Sequence, residues 1–272
     1  MSPSDAKLET QRQWNANPCG ADTAAELERG SAAFFQSVEQ HRYEVYAPWL
    51  KQAAGFASFA GCRVLEIGPG LGTDHAQFAR AGARTYAIDL TATHLELTRQ
   101  RFAQERLVTR LTRGDAERLP FADASFDVVY SFGVLHHTPD TGKAVLEAWR
   151  VLRPGGAAIV SLYHRHSAFH WIATVLCRGV RRGELWTRGY RRMLADVEQG
   201  ARESGATPLV KVLSRRQCRR LFAPFRQVSV RSDHIDIGHV FPSRPASPAA
   251  RRRLLEKLAG RWGWYLTVTA RK

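Results

Sequence analysis

The segment Val64-Leu-Glu-Ile-Gly-Pro-Gly-Leu-Gly-Thr-Asp74 runs an apolar strand into glycines at 68, 70 and 72. Glycine is needed where a strand turns sharply into a helix and a ligand must approach bare backbone. A dinucleotide fingerprint, G-x-G-x-x-G, would put its third glycine at 73, where Thr73 stands, and the Gly-Lys-Ser/Thr of a phosphate loop is missing. Pyrophosphate is therefore disfavoured. Asp89 closes the next apolar run, 21 residues beyond Gly68, the distance at which a second-strand carboxylate can accept both hydroxyls of a ribose. Asp115, in Gly114-Asp115-Ala116, follows the third run and is placed to bond an adenine amino group. Glu66, Asp89 and Asp115 around one glycine turn make an acidic pocket that repels phosphates and suits a cationic nucleoside.

Groups able to move a proton lie farther along. His137, in Leu135-His136-His137-Thr138, ends the fourth apolar run, and Tyr163, His164 and His166 follow the fifth. For His137 a structural or gating role competes with a base role; for His164 and His166 a solvated loop competes. His164, His166 and His170 are too poor in acidic neighbours to read as a metal centre, so no metal is expected. Tyr43, Tyr46 and Trp49, with Trp171, Trp186 and Tyr190, are candidates for an aromatic lid, or for ordinary core.

The elements that must hold these residues alternate. Strands are expected at 62–67, 84–89, 108–113, 126–131 and 157–163, with helices at 72–81, 92–105 and 140–152, the last stopping before Pro154-Gly155-Gly156. Such repetition implies a parallel sheet with right-handed crossovers, and ligands at the carboxyl ends of its strands. Residues 1–60 read as a helical preface or lid, 61–163 as the core, 164–205 as a helical insertion on the acceptor side, and 206–272 as the completion of the sheet. That last part has a helix at 215–222, a strand at 228–234, a Pro/Ser-rich excursion from Pro242 to Pro248, a helix at 249–260 and a strand at 264–270.

Of the 272 residues, 44% are hydrophobic and 24% charged, the balance of a water-soluble chain with a real core. The net charge of +15 is unevenly placed: residues 1–164 hold 17 basic and 18 acidic side chains, whereas 165–272 hold 23 and 7. The Arg pairs 181–182, 191–192, 215–216 and 219–220 and the run Arg251-Arg252-Arg253 read as phosphate contacts or as solvated helix faces. Because 34 of the 40 basic residues are arginine, codon bias toward G and C is a further source of the excess. The four cysteines have neither zinc nor disulfide spacing, and no leader or spanning segment is read, so a cytoplasmic location is expected.

The stretches VLEIGPGLGTD, AIDLT, GDAERLPFADASFDVVYSFGVLHHTPD and EAWRVLRPGGAAIVSLY resemble, in order and spacing over roughly residues 61–163, the class I S-adenosylmethionine-dependent methyltransferases, within them the ubiquinone/menaquinone type. The resemblance implies a Rossmann-like, seven-stranded, mostly parallel α/β sheet with helices on both faces, its last strand antiparallel, and S-adenosyl-L-methionine as cofactor, leaving S-adenosyl-L-homocysteine. It further implies that Gly68, Gly70 and Gly72 line the methionine part, that Asp89 holds the ribose, and that Leu90 flanks the adenine while Asp115 and Ala116 read its edge. Glu66 and the backbone around Ser131 would approach the amino-acid end, with Asp74 a further contributor. A nucleic-acid N-methylating motif is missing after the fourth strand, where Ser131-Phe132-Gly133-Val134 stands. A small-molecule acceptor is therefore expected, anionic or carrier-bound in one version, with nucleic acid not favoured. An alternative outcome on the same scaffold is cyclising or alkyl-transfer chemistry on the cofactor's own carbons.

Overall fold

A computed structural model describes residues 2–198, 201–235 and 257–272. Its centre is a seven-stranded sheet in the order β3-β2-β1-β4-β5-β7-β6, with β1 Arg63–Ile67, β2 Arg84–Asp89, β3 Thr109–Arg113, β4 Phe126–Phe132, β5 Leu152–Tyr163, β6 Arg226–Asp233 and β7 Tyr265–Arg271. Strands β1 to β5 pair parallel, and β7 runs antiparallel between β5 and β6. The mostly parallel Rossmann-like sheet expected from the sequence is thus present. Its order reverses between β1 and β4, where a crevice opens at the carboxyl ends of the strands.

The strands read as continuous apolar runs because both faces are covered. Alternate residues divide the core: Leu65, Ile67, Val129 and Val160 pack on one side with helix α6 (Thr141–Val151), while Val64, Val128, Tyr130 and Ile159 pack on the other. That second side is roofed by the N-terminal residues and by α4 (Thr73–Arg80), whose Phe78 is fully buried, with α5 (Ala92–Gln104) beside it, the Phe102 ring centre 5.1 Å from that of His75 in α4.

The N-terminal part is more broken than its composition suggests. It contains α1 (Pro3–Ala16), begun by a Ser2 capping box, then α2 (Ala32–Gln40), a wide five-residue-bonded turn at His41–Tyr46, and α3 (Leu50–Ala54). Gly30 and Gly55 adopt positive φ, which a continuous helix cannot accommodate. Pro154-Gly155-Gly156, expected to lie between the helix and a strand beginning at 157, are instead drawn into β5: Leu152 already pairs with Phe126, and a bulge carries the register to Val128 and Ala157. The segment after β5 forms a wide helix at Phe169–Arg181, then α7 (Glu184–Thr187) and α8 (Gly189–Ala195). The excursion from Pro242 to Pro248, the run Arg251-Arg252-Arg253 and most of the helix expected at 249–260 lie outside the described residues; 257–262 are helical.

Phe78 joins the N-terminal part to the sheet, its ring centre 4.8 Å from that of Phe56, 5.2 Å from Tyr130 and 6.0 Å from Phe59. Phe78→Ala is expected to cost about 3–5 kcal/mol in urea unfolding, as emptied aromatic core sites do. A loss below about 1 kcal/mol, typical of surface positions, would contradict this packing.

Candidate functional site

A cavity of about 500 Å³ occupies the crevice, in the range of small-molecule sites. One end is formed by the turn after β1 (Gly68 to Leu71), the end of β2 (Asp89 to Thr91) and Gly114 to Ala116; the other by Tyr46, Phe132, His137, Tyr163, Phe169, Glu198, Trp264 and Tyr265. Helix α1 closes the first end. Lys7 Nζ lies 2.5 Å from an Asp115 oxygen and 2.7 Å from one of Glu117, while Gln11 donates to the Leu90 carbonyl.

The turn works because its glycines have no side chain. Gly68 has φ +77°, and a Cβ there would lie 2.3 Å from Val134 Cγ2. Gly70, φ +58°, has no atom within 4 Å of its Cβ position, so its bare backbone is available to a ligand in the cavity. Gly72 stands behind the lining, where a Cβ would press on Thr98 at 3.1 Å.

The acids of the first end differ in charge. Thr109 donates its hydroxyl proton to the Thr85 carbonyl, so its oxygen accepts from His75 Nε2 at 2.7 Å. This leaves Nδ1 as the lone-pair nitrogen, 3.0 Å from Glu66 Oε2, and Glu66 must then be the donor, a neutral acid. Burial acts in the same direction on both, raising Glu66 well above the ordinary range and lowering His75 to about 3. Asp74 is the opposite case. Its oxygens take Arg42 Nε at 2.8 Å, a second Arg42 contact, and the hydroxyls of Tyr43 and Tyr130, each at 2.7 Å, and these hold its pKa below the usual value despite burial.

Asp89 is also held ionised against burial, by His94 and by the Thr91 backbone and hydroxyl. One oxygen accepts both Thr91 groups at 2.8 Å and the other faces His94 Nδ1 at 3.2 Å. An ionised carboxylate has about four lone-pair positions, so one remains for a ligand hydroxyl, and a second hydroxyl requires His94 to yield. The three-acid pocket read from the sequence therefore reduces to the charges of Asp89 and Asp115, the latter paired with Lys7.

Of the proposed proton-moving residues, His137 and Tyr163 reach the cavity and His164 and His166 do not. His164 Nδ1 bonds the Gly263 carbonyl at 3.0 Å, and burial depresses this imidazole to about 4; His166 is solvent-exposed. Ser131 is likewise outside the lining, its hydroxyl donated to the Ile67 carbonyl at 3.0 Å. Burial raises Tyr163 well above 10, so its phenol keeps its proton. Trp171, Trp186 and Tyr190 are exposed and outside the cavity lining, whereas Tyr46 lines it.

His137 acquires a partner that the sequence does not signal. Its Nδ1 lies 2.7 Å from the Leu209 carbonyl and so carries the proton, leaving Nε2 facing Glu198 Oε1 at 3.8 Å. Neither Nε2 nor that oxygen has a hydrogen-bond partner, and burial raises the Glu198 carboxyl above its usual range. A gap of 3.8 Å is too wide for a direct hydrogen bond, so Nε2 keeps its lone pair. His136, its ring tilted by 34° to that of Tyr163 with centres 3.8 Å apart, completes the group of donor atoms, all within 4.8 Å, that among the described residues could also hold a metal ion. Glu198 lies 61 positions beyond His137, with no shared motif. Arg42, and Trp14, whose ring meets that of His137 edge-on with centres 5.8 Å apart, are equally hidden, since a helix face says nothing of the sheet it will meet.

Residues 65–160 match the methyltransferase domain family. Among curated proteins, a methyltransferase of Streptomyces halstedii, GfsG, is 34% identical over 123 residues, 44% of this chain and 44% of that one. A demethylmenaquinone methyltransferase of Clavibacter sepedonicus is 40% identical over 105 residues, 38% of this chain and 42% of that one. The chain thus spans less than half the length of these relatives. Among solved structures, the (4+2)-cyclase SpnF superposes with TM-score 0.54 at 16% identity, over 99% of this chain and 93% of that one. A Haemonchus contortus phosphoethanolamine N-methyltransferase, in complex with phosphomonomethylethanolamine and S-adenosylhomocysteine, gives 0.54 at 18% identity over 82% and 53%. At such identities these two likenesses concern the fold.

Asp74→Asn leaves Arg42 charged and largely buried without its counter-ion, and is expected to cost about 3–5 kcal/mol in urea unfolding at pH 7. The folded-state pKa is the lower one, so the stabilisation from Asp74 is complete above the unfolded value near 4 and is lost as pH falls below it. The wild type should therefore lose stability more steeply than the variant as pH falls below about 4. Equal slopes would show that the carboxylate is not held by its partners.

Proposed function

We propose that residues 65–160, which match the methyltransferase domain family, act as a class I S-adenosyl-L-methionine-dependent methyltransferase domain, and that the chain methylates a proton-bearing nucleophile on a small molecule with apolar faces, in bacterial secondary or cofactor metabolism. The observation that carries the reading is the single cavity joining the Gly68–Asp89–Asp115 end to an aromatic chamber with His137 and Glu198 in its wall. Relatives named for demethylmenaquinone and for GfsG support the metabolic setting.

S-adenosyl-L-methionine supplies a methyl already activated on a sulfonium, so the protein's share is placement, exclusion of water and proton removal. Gly68 and Gly70 offer backbone to the methionine part, Asp89 a lone pair to the ribose, and Asp115 with Ala116 an edge for the adenine. Tyr46, Phe132, Tyr163, Trp264 and Tyr265 present flat apolar faces to the acceptor. The proton of the nucleophile passes to His137 Nε2, whose lone pair is fixed by the Leu209 bond, with the Glu198 carboxyl facing the same nitrogen.

A nucleic-acid acceptor fits less well. Among the described residues lining the cavity, the cationic side chains are Lys7 and Arg42, and both are committed to carboxylates. The non-methylating alternative shares this fold through SpnF, but nothing in the chamber favours it.

Calorimetry is expected to show S-adenosyl-L-homocysteine binding at micromolar level, and Asp89→Ala at least tenfold weaker binding, about the worth of one hydrogen bond to a charged group. Undiminished affinity would remove Asp89 from the site. With methyl-labelled cofactor offered to small metabolites, total RNA and protein extract separately, label should enter the apolar metabolites; label entering RNA alone would overturn the acceptor class.

A further inference from the structure

The wide helix Phe169–Arg181 has an unusual outer face. It turns His170, Thr174 and Gly179 inward, and Gly179 lets Met193 pack close, its Sδ 3.3 Å from where a Cβ would stand. With five-residue bonding, positions four and five apart share a side. A neighbouring side gathers Trp171, Leu176 and Val180, exposed by 51%, 50% and 45%, with Ile172 and Val175 half-buried beside them. Trp186, the most exposed tryptophan at 69%, follows in α7. Surface helices of water-soluble proteins normally turn charge outward, and a contiguous apolar face marks an interaction site.

Charge decides what kind of surface it meets. The helix ends in Arg181 and Arg182, both exposed, for which no ion pair is found among the described residues. The nearby acids are used internally: Glu184 takes Arg178, and Asp196, its side chain fully buried, takes Arg178 and Arg188. The stripe itself carries no carboxylate.

We propose that this face docks on an anionic phospholipid surface, with Trp171, Leu176, Val180 and Trp186 entering the headgroup boundary and Arg181 and Arg182 pairing with lipid phosphates. A second copy of the chain would bring an identical basic surface against it, which like charges oppose. Phe169, the first residue of the same helix, lines the cavity, and so does half-exposed Trp262. A docked helix therefore sets the chamber mouth beside the bilayer, from which an apolar acceptor can enter. This last step rests on the proposed methyl transfer; the docking does not.

The test is sedimentation of the untagged full chain with vesicles of phosphatidylglycerol mixed into phosphatidylcholine, and with vesicles of phosphatidylcholine alone. Binding is expected to the first, weakening with salt. Leu176→Asp should lower it at least about tenfold, and Arg181→Glu with Arg182→Glu at least about twentyfold, given the worth of an arginine at a charged membrane. S-adenosyl-L-homocysteine affinity of both variants should equal that of the wild type, which shows that they are folded. No vesicle binding, binding indifferent to these substitutions, or a dimer in solution abolished by Leu176→Asp without vesicle binding would each overturn the proposal. If the wild type bound vesicles but neither S-adenosyl-L-methionine nor S-adenosyl-L-homocysteine, the methyltransferase reading would fail and the docking surface would stand.

Discussion

Asp74 is where three parts of the chain become one site. It stands in the first turn of α4, directly after the glycine turn, and its two oxygens are shared among Arg42 and Tyr43 of the N-terminal part and Tyr130 of the fourth strand. A buried carboxylate is costly unless fully paired, and this one is paired on every side. The glycine turn therefore cannot shift without disturbing both the sheet below it and the segment that covers it. Arg42 in turn places its guanidinium over Phe132, 4.5 Å from the ring centre, linking the same knot to the acceptor end of the cavity.

That knot also changes the electrostatic character of the pocket. Acidic residues around a glycine turn suggest an anionic hollow, yet each acid meets a different neighbour. Glu66 is neutral because the hydrogen-bond directions through His75 and Thr109 require it to donate. Asp74 is cancelled by Arg42, and Asp115 by Lys7. Asp89 keeps its charge, and the field offered to a cationic nucleoside is thereby concentrated at the ribose end. At the far end the walls are aromatic, Tyr163 stacked on Trp264 with ring centres 4.4 Å apart. Polarity thus runs along the cavity rather than across it, which suits a charged donor meeting an apolar acceptor.

The arginine excess of the C-terminal part similarly divides once the chain is folded. Arg178, Arg188 and Arg192 converge on Asp196, and Arg215 is spent on backbone carbonyls at Val230 and Gly260 and on the Ser232 hydroxyl. These arginines hold the segment after β5 and the last strands in place. Arg181 and Arg182 remain outward, beside an apolar stripe, so the number of basic residues overstates how many face a partner.

What the sequence determined by itself was local and periodic. Strands and helices of the sheet followed from alternation of apolar runs, and the turn at Gly68 and Gly70 from the requirement for positive φ, because both depend on residues close in the chain. The order of strands and the antiparallel last strand came through the resemblance of several motifs taken together. Tertiary structure alone decided which side chains share a cavity. His164 and His166 sit next to Tyr163 in sequence, but the register of β5 against β7 ties one to Gly263 and leaves the other in solvent. Glu198, Lys7 and Trp14 arrive from segments 61, 108 and 123 positions away from His137, Asp115 and His137 respectively. No periodicity spans such distances; only the packing of α1 and of the segment after β5 over the crevice brings these groups together.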